Sequence, residues 1–227
     1  MNNNFMPEKF LDLQQTMAKN LFKNINNVWE VIPNINMFIK EIGENLSNSE
    51  YYSPQKNVWI SKNAKVSETA HISEFTIIEE GTEIRHCAFI RGNAIIGKNC
   101  VVGNSTEIKN VILFNNVQVP HYNYVGDSIL GYKAHIGAGA ITSNVRADKN
   151  LISFNFNNKK IETNLKKFGA ILGDYTEIGC NAVLNPGSIV GKNSNIYPLT
   201  MVRGYIPENS IVKNNGNIVT KIFFNCS

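Results

Sequence analysis

Long apolar runs are missing from this chain of 227 residues. No stretch approaches the roughly 20 residues that a membrane-spanning helix requires, and the opening MNNNFMPEKF lacks the apolar core of a secretory signal. A cytoplasmic protein with no membrane partner is expected. Strong charge is missing as well: Lys and Arg exceed Asp and Glu by 22 to 18, a formal net charge of +4. That excess is too mild to argue for nucleic acid, although it suits phosphorylated substrates. Cysteine is scarce, and Cys87, Cys100, Cys180 and Cys226 show neither CxxC nor another metal spacing. They read as reduced, packed thiols.

The usual periods of secondary structure, 3.6 for a helix and 2 for a strand, are also absent from most of the chain. In their place stands a period of six. Apolar residues recur at Ile60, Val66, Ile72, Ile78, Ile84, Ile90, Ile96, Val102, Ile108 and Phe114, and again at Leu172, Ile178, Leu184, Val190, Ile196 and Val202. Four residues after each beat comes a small one, among them Ala64, Ala70, Thr76, Thr82, Ala88 and Ala94. A hexapeptide period calls for a three-sided coil whose sides are short strands, each turning one apolar residue into a narrow interior. That is a parallel β-helix, an all-β solenoid.

Residues 1–57 lie before the coil and read as a helical cap or arm followed by a linker, with Pro33 opening a second helix. A cover over the first coil has a physical purpose, since open strand edges invite further pairing. The coil is expected over 58–206, and residues 207–227 read as a turn and a terminal strand. Two interruptions are expected, at Val119–Asp127 and at a loop over 145–167 rich in Lys and Arg. Breaks in a solenoid are where function tends to sit.

Between Arg91 and Asn144 the chain reads IRGNAIIG, NSTEIKN, PHYNYVGDSILG and HIGAGAITSN. With HxxYxGD and IGAGxITxN combined, this stretch resembles the left-handed hexapeptide-repeat acyltransferases. The likeness is to the acetyltransferase half of bifunctional N-acetylglucosamine-1-phosphate uridyltransferase/glucosamine-1-phosphate acetyltransferases and of archaeal sugar-1-phosphate nucleotidylyltransferases. It covers roughly 58–205 and implies a left-handed β-helix, assembled as a homotrimer, that transfers acetyl from acetyl-CoA to an amino-sugar 1-phosphate without a metal. The G-x-G-T-R loop that a nucleotidyl-transfer domain needs does not occur.

The resemblance assigns roles residue by residue. His121 becomes the general base, since histidine is the side chain that exchanges protons near cell pH, with Asn144 beside it in the catalytic set. Arg91, Lys109 and Lys149 become holders of the phosphate, and Tyr124 becomes a sugar contact. His135 stands where the family has an asparagine before IGAG, and Cys180 stands in place of a serine at the acetyl-CoA site. Pro198 and Arg203 fall where the CoA chain would run. Arg91 and Lys109 are 18 residues apart, one turn of three sextets, so they should stack on one face. Two other readings stay open. A zinc enzyme of the γ-carbonic anhydrase kind lacks its H-x4-H pair among His71, His86, His121 and His135. A non-catalytic sensor or scaffold that binds a sugar nucleotide would have no need of a base.

Overall fold

The computed structural model describes residues 3–222. From Val58 onward the chain winds into a three-sided parallel β-solenoid, the hexapeptide coil that the period of six requires. Its first side stacks eight strands in register through Trp59, Ile77, Ile95, Ile112, Ile129, Ile171, Ile189 and Tyr205. The second side carries Ile84, Val102, Val119, Ile136, Ile178, Ile196 and Val212 inward, and the third Ile90, Ile108, Val125, Thr142, Leu184 and Val202. The small residues that follow each beat are sealed at the corners. Thr82 Oγ1, for example, donates to the Gly97 carbonyl at 2.6 Å and accepts from the Cys100 N–H.

The phase slips earlier than the sequence suggests. Leu113, not Phe114, pairs with Ile96, and Leu130 pairs with Leu113, so two successive coils contain 17 residues where Ile78 to Ile96 spans 18. Each missing residue is lost at the corner between the third and first sides. There the strands Glu107–Leu113 and Tyr124–Leu130 run on around the bend. Of the interruption expected at Val119–Asp127, Val119 to Val125 is an even step of six, and the second slip falls at its Asp127 end, between Val125 and Leu130. Phe114 is left to point outward against Phe22. The coil also continues past 206, since Ile211 and Val212 pair with Asn195 and Ile196.

The N-terminal segment keeps the second of the two expected helices, beyond Pro33, but not the first, and it is not an end cap. It is a chain of short 3-10 turns with one α-helix, Ile35–Gly43, laid lengthwise along the first side. Local side-chain bonds compete with helix here: Asp12 and Thr16 each accept from the N–H two residues on. Backbone carbonyls that a helix would use are given to the coil instead, Gln15 O to Asn115 N–H and Phe10 O to Asp174 N–H. What the strap covers is an outward ridge, for Ile77, Ile95, Ile112, Ile129, Ile171 and Ile189 are all fully buried although they alternate with inward residues. Burying one such side chain is worth about 1.5–3 kcal/mol. Gly43 ends the α-helix against Trp59, whose ring would lie 2.5 Å from any Cβ there.

The open strand edges are met by other means. Tyr51–Tyr52 pairs antiparallel with Ile60–Ser61 at one end, and Ile218–Thr220 with Ser210–Val212 at the other. The longer interruption leaves the coil after Asn144 and forms a hairpin, Ser153–Phe156 with Lys159–Glu162. Its aromatic face packs on the strap, Phe154 against Trp29 at 5.6 Å and Phe156 against Phe5 at 5.0 Å. Among the described residues no helix is long and apolar enough to cross a membrane. The thiols are not uniformly packed as expected: Cys100 is buried, but Cys87 and Cys180 are exposed because they stand at outward corners, and Cys226 lies outside the described residues.

Candidate active site on the open side

The third side has no strap. Its outward positions put Arg91 beside Lys109 in the next coil, and Gly126, Ser143, Asn185 and Arg203 continue the column. Beside it a second column holds Phe89, Glu107 and Tyr124. Arg91 Nη1 pairs with Glu107 Oε1 at 2.7 Å, and its guanidinium lies 5.9 Å from the Phe89 ring centroid.

The hub of the cluster is Asp127, which is 3% exposed. Its carboxylate accepts from Asn110 Nδ2 at 2.8 Å and from Asn144 Nδ2, and Lys109 Nζ stands 3.6 Å away. The backbone explains its position. Asn93, Asn110 and Asp127 occupy the same corner in successive coils with φ of 51°, 52° and 49°, a left-handed conformation that Asn and Asp tolerate better than other side chains. Loss of one residue at this corner tightens it, which draws Lys109, Asn110, Asp127 and Asn144 together. Asn110 Nδ2 also reaches the Ile32 carbonyl of the strap at 3.3 Å, tying the cluster to the covered side.

Gly126 makes room for the two remaining groups. A Cβ at this position would lie 2.5 Å from the Tyr124 hydroxyl and 2.9 Å from Asn144 Nδ2. Burial pushes the Tyr124 phenol pKa up, and the Asp127 and Glu107 charges push in the same direction, so the hydroxyl is held as a donor. The cluster therefore presents two cations, each beside a carboxylate, together with a phenol and an amide. That set can grip a phosphate and hydrogen-bond a polyhydroxylated ring.

His121 stands on the adjoining corner, where the second side meets the third, with its ring exposed. Its backbone N–H donates to Asn123 Oδ1 at 3.0 Å, and Asn123 Nδ2 in turn donates to the Gly137 and Ala140 carbonyls, so the turn is pinned from within. The backbone ladder places His86, Asn104, His121, Ala138, Cys180 and Pro198 at one corner position in successive coils. Cys180 and Pro198 are thus two and three coils beyond His121, roughly 10 and 14 Å along the axis at about 4.8 Å per step.

The other candidates fall elsewhere. His135 begins a second-side strand, and its Nδ1 lies 2.8 Å from Glu177 Oε2, away from the cluster. Lys149 is exposed in the turn after Arg146, where its backbone N–H donates to the Arg146 carbonyl at 3.1 Å. Arg203 ends the Arg91–Lys109 column and lines a recess of about 490 Å³ with Arg146, Phe154 and Lys160. Residues missed in the sequence are Glu107 and Asp127. Asp127 was legible in principle, as the third member of the Asn93–Asn110–Asp127 series of turn-forming residues.

Comparison with known proteins places the same stretch in context. A family model described as the GMPPB C-terminal domain matches residues 74–152. The bifunctional protein GlmU of Methanococcus vannielii is 36% identical over 115 residues, which cover 51% of this chain and 28% of that protein. The bifunctional sugar-1-phosphate nucleotidylyltransferase/acetyltransferase of Sulfurisphaera tokodaii is 32% identical, covering 42% of this chain and 24% of that one. The chain spans about a quarter of the length of these curated relatives. Among solved structures, the AntD N-acyltransferase from Bacillus cereus, in complex with dTDP and coenzyme A, is 17% identical with a TM-score of 0.38, covering 76% of this chain and 90% of that one. The PglB acetyltransferase domain from Neisseria gonorrhoeae, in complex with acetyl coenzyme A, is 14% identical with a TM-score of 0.34, covering 79% and 64%. The chain is a hexapeptide-repeat β-solenoid, and its sequence relatives are the bifunctional sugar-phosphate enzymes to which HxxYxGD and IGAGxITxN point.

Proposed function

We propose that this protein is an acetyl-CoA-dependent N-acetyltransferase acting on an amino-sugar 1-phosphate, glucosamine-1-phosphate or galactosamine-1-phosphate, in the synthesis of nucleotide-sugar and cell-envelope precursors such as UDP-N-acetylglucosamine. The observation that carries this reading is the open-side cluster: Arg91 and Lys109 on adjacent coils, Lys109 and Asn144 gathered on Asp127 with the Tyr124 hydroxyl near Asn144, on the side whose other corner carries His121. Arg91 and Lys109 hold the phosphate, and Tyr124 and Asn144 contact the ring. His121 accepts the proton of the sugar ammonium, the freed amine attacks the thioester carbonyl, and the C–S bond breaks as the nitrogen's second proton passes to the departing sulfur, releasing the CoA thiol and leaving the amide. The corner column from His121 through Cys180 to Pro198 supplies a track for the thioester arm, and Arg203 a cation for its phosphates. Lys149 is a mobile-reach phosphate holder in this scheme, since its four-carbon stem extends from a turn only five residues past Asn144.

Protomers assemble as a cytoplasmic homotrimer in which a neighbour walls the groove at His121, so a monomeric variant would lose activity with every catalytic residue in place. Acetyl transfer in this scheme calls for no metal. The test is thiol release from acetyl-CoA over a panel of amino-sugar 1-phosphates, run beside His121→Ala. Turnover with one sugar and at least about a hundredfold loss in the variant supports the general base. No thiol release with any sugar, while a sugar nucleotide binds in calorimetry, would replace the enzyme with a binding module.

A further inference from the structure

Two coils before His121, at the same corner, lies a second arrangement that acetyl transfer does not use. Cys87 Sγ is 3.2 Å from His86 Nε2, and His86 Nδ1 is 2.7 Å from Thr69 Oγ1. All three residues are exposed. The unit is held from both sides: the Cys87 N–H donates to Thr69 Oγ1 at 3.2 Å, and the His86 carbonyl accepts from the Ser105 N–H and from Asn104 Nδ2. Cys87 itself sits at φ of 56°, a conformation that costs a non-glycine residue about 1 kcal/mol or more. A thiol, an imidazole on its proton and a hydroxyl orienting that imidazole form the nucleophile, base and orienter of an activated thiol.

The other thiols provide the contrast. Cys100 is buried, and burial pushes its pKa up to about 12, so it is inert. Cys180 is exposed like Cys87, but among the described residues no imidazole contacts its sulfur. We propose that Cys87 is a reactive thiol that exchanges with low-molecular-weight disulfides, with His86 as its proton acceptor. The imidazole takes the proton from Sγ and the thiolate attacks one sulfur of the disulfide. A new S–S bond forms to Cys87 as the old one breaks, and the departing thiolate leaves with the proton. The protein thiol is oxidised and half of the small disulfide is reduced, so no further reagent is needed.

The experiment treats the reduced full chain with oxidised glutathione at pH 7.5 and follows Cys87 and Cys180 separately by peptide mass spectrometry. Cys87 is expected to form its mixed disulfide at least about tenfold faster than Cys180, and His86→Asn to remove most of that excess while leaving the Cys180 rate unchanged. The same cysteine in the urea-unfolded chain gives a reference that needs no variant, and the folded rate is expected to exceed it several-fold. Equal rates at the two cysteines, an unaltered rate in His86→Asn, or a folded rate no higher than the unfolded one would each overturn the proposal.

Discussion

The first and third sides of this solenoid are built from the same sextet, yet one is covered on its outer face and the other is open. Inward they are alike, with Ile78, Ile96 and Leu113 on one and Ile90, Ile108 and Val125 on the other, all fully buried. Outward they diverge. The first side presents Ile77, Ile95, Ile112 and Ile129 to a strap, whereas the third presents Arg91, Lys109 and Tyr124 to solvent. The inward residue of each sextet sets the coil, and the outward residues decide whether a side is packed or left free to bind. The two sides meet at one corner, where Asn110 touches Ile32 of the strap and Asp127 of the cluster.

The comparison is broken most severely by charging the covered ridge. Ile112→Asp would bury an unpaired carboxylate beneath the strap, and a loss of more than about 4 kcal/mol is expected in urea unfolding. Stability within 1 kcal/mol of the parent would mean that the strap lifts freely from the first side.

A smaller effect is expected at Glu79, the one acid among the corner positions that later become Gly97, Gly131, Gly173 and Gly191. It is 4% exposed, its Oε2 has no partner, and burial pushes its pKa up to about 7. The folded state therefore holds a proton that the unfolded chain releases near its ordinary value of about 4.5. Stability from this group is complete below that value and is lost as pH rises toward 7. Glu79→Gln removes the loss, so the variant should match the parent near pH 4.5 and exceed it by about 2–3 kcal/mol at pH 8. A parallel pH dependence in both proteins would refute this account.

On the open side Gly126→Ala sharpens the contrast. The added methyl meets the Tyr124 hydroxyl and Asn144 amide, flexible groups that can move aside. KM for the amino-sugar phosphate should rise about tenfold, with stability changed by no more than about 1 kcal/mol. A large fall in stability with KM unaltered would make the position structural. The smallest change in stability belongs to Arg91→Ala, whose half-exposed pair with Glu107 should contribute no more than about 0.5–1 kcal/mol, while KM rises tenfold or more. Thermal unfolding and initial rates on the same preparation separate the two.

Much of this was open to reading from residues alone, and the reason differs by element. The inward clock was legible because each sextet repeats one environment, and the stacking of Arg91 on Lys109 followed from three sextets per turn. The outward ridge was legible but passed over: Ile77-Ile78, Ile95-Ile96, Ile112-Leu113 and Ile129-Leu130 are apolar doublets that recur once per coil on one side only. The first part of the strap was misread as a helix because its amphipathic spacing says nothing of carbonyls that Asn115 and Asp174 would claim, whereas the helix beyond Pro33 was read correctly. His135 was taken with the site because it adjoins IGAG in sequence, though a corner separates it from the cluster.

By itself, then, the sequence determined the solenoid, the inward residues of each coil and the types of side chain available for chemistry, because those depend on local repeats that each coil imposes on the next. Only the tertiary structure decided where the phase slips, which side the strap covers and that Asp127 gathers Lys109, Asn110 and Asn144. Those outcomes depend on contacts between residues far apart in the chain. A one-residue loss at a corner moves every later neighbour without altering the composition.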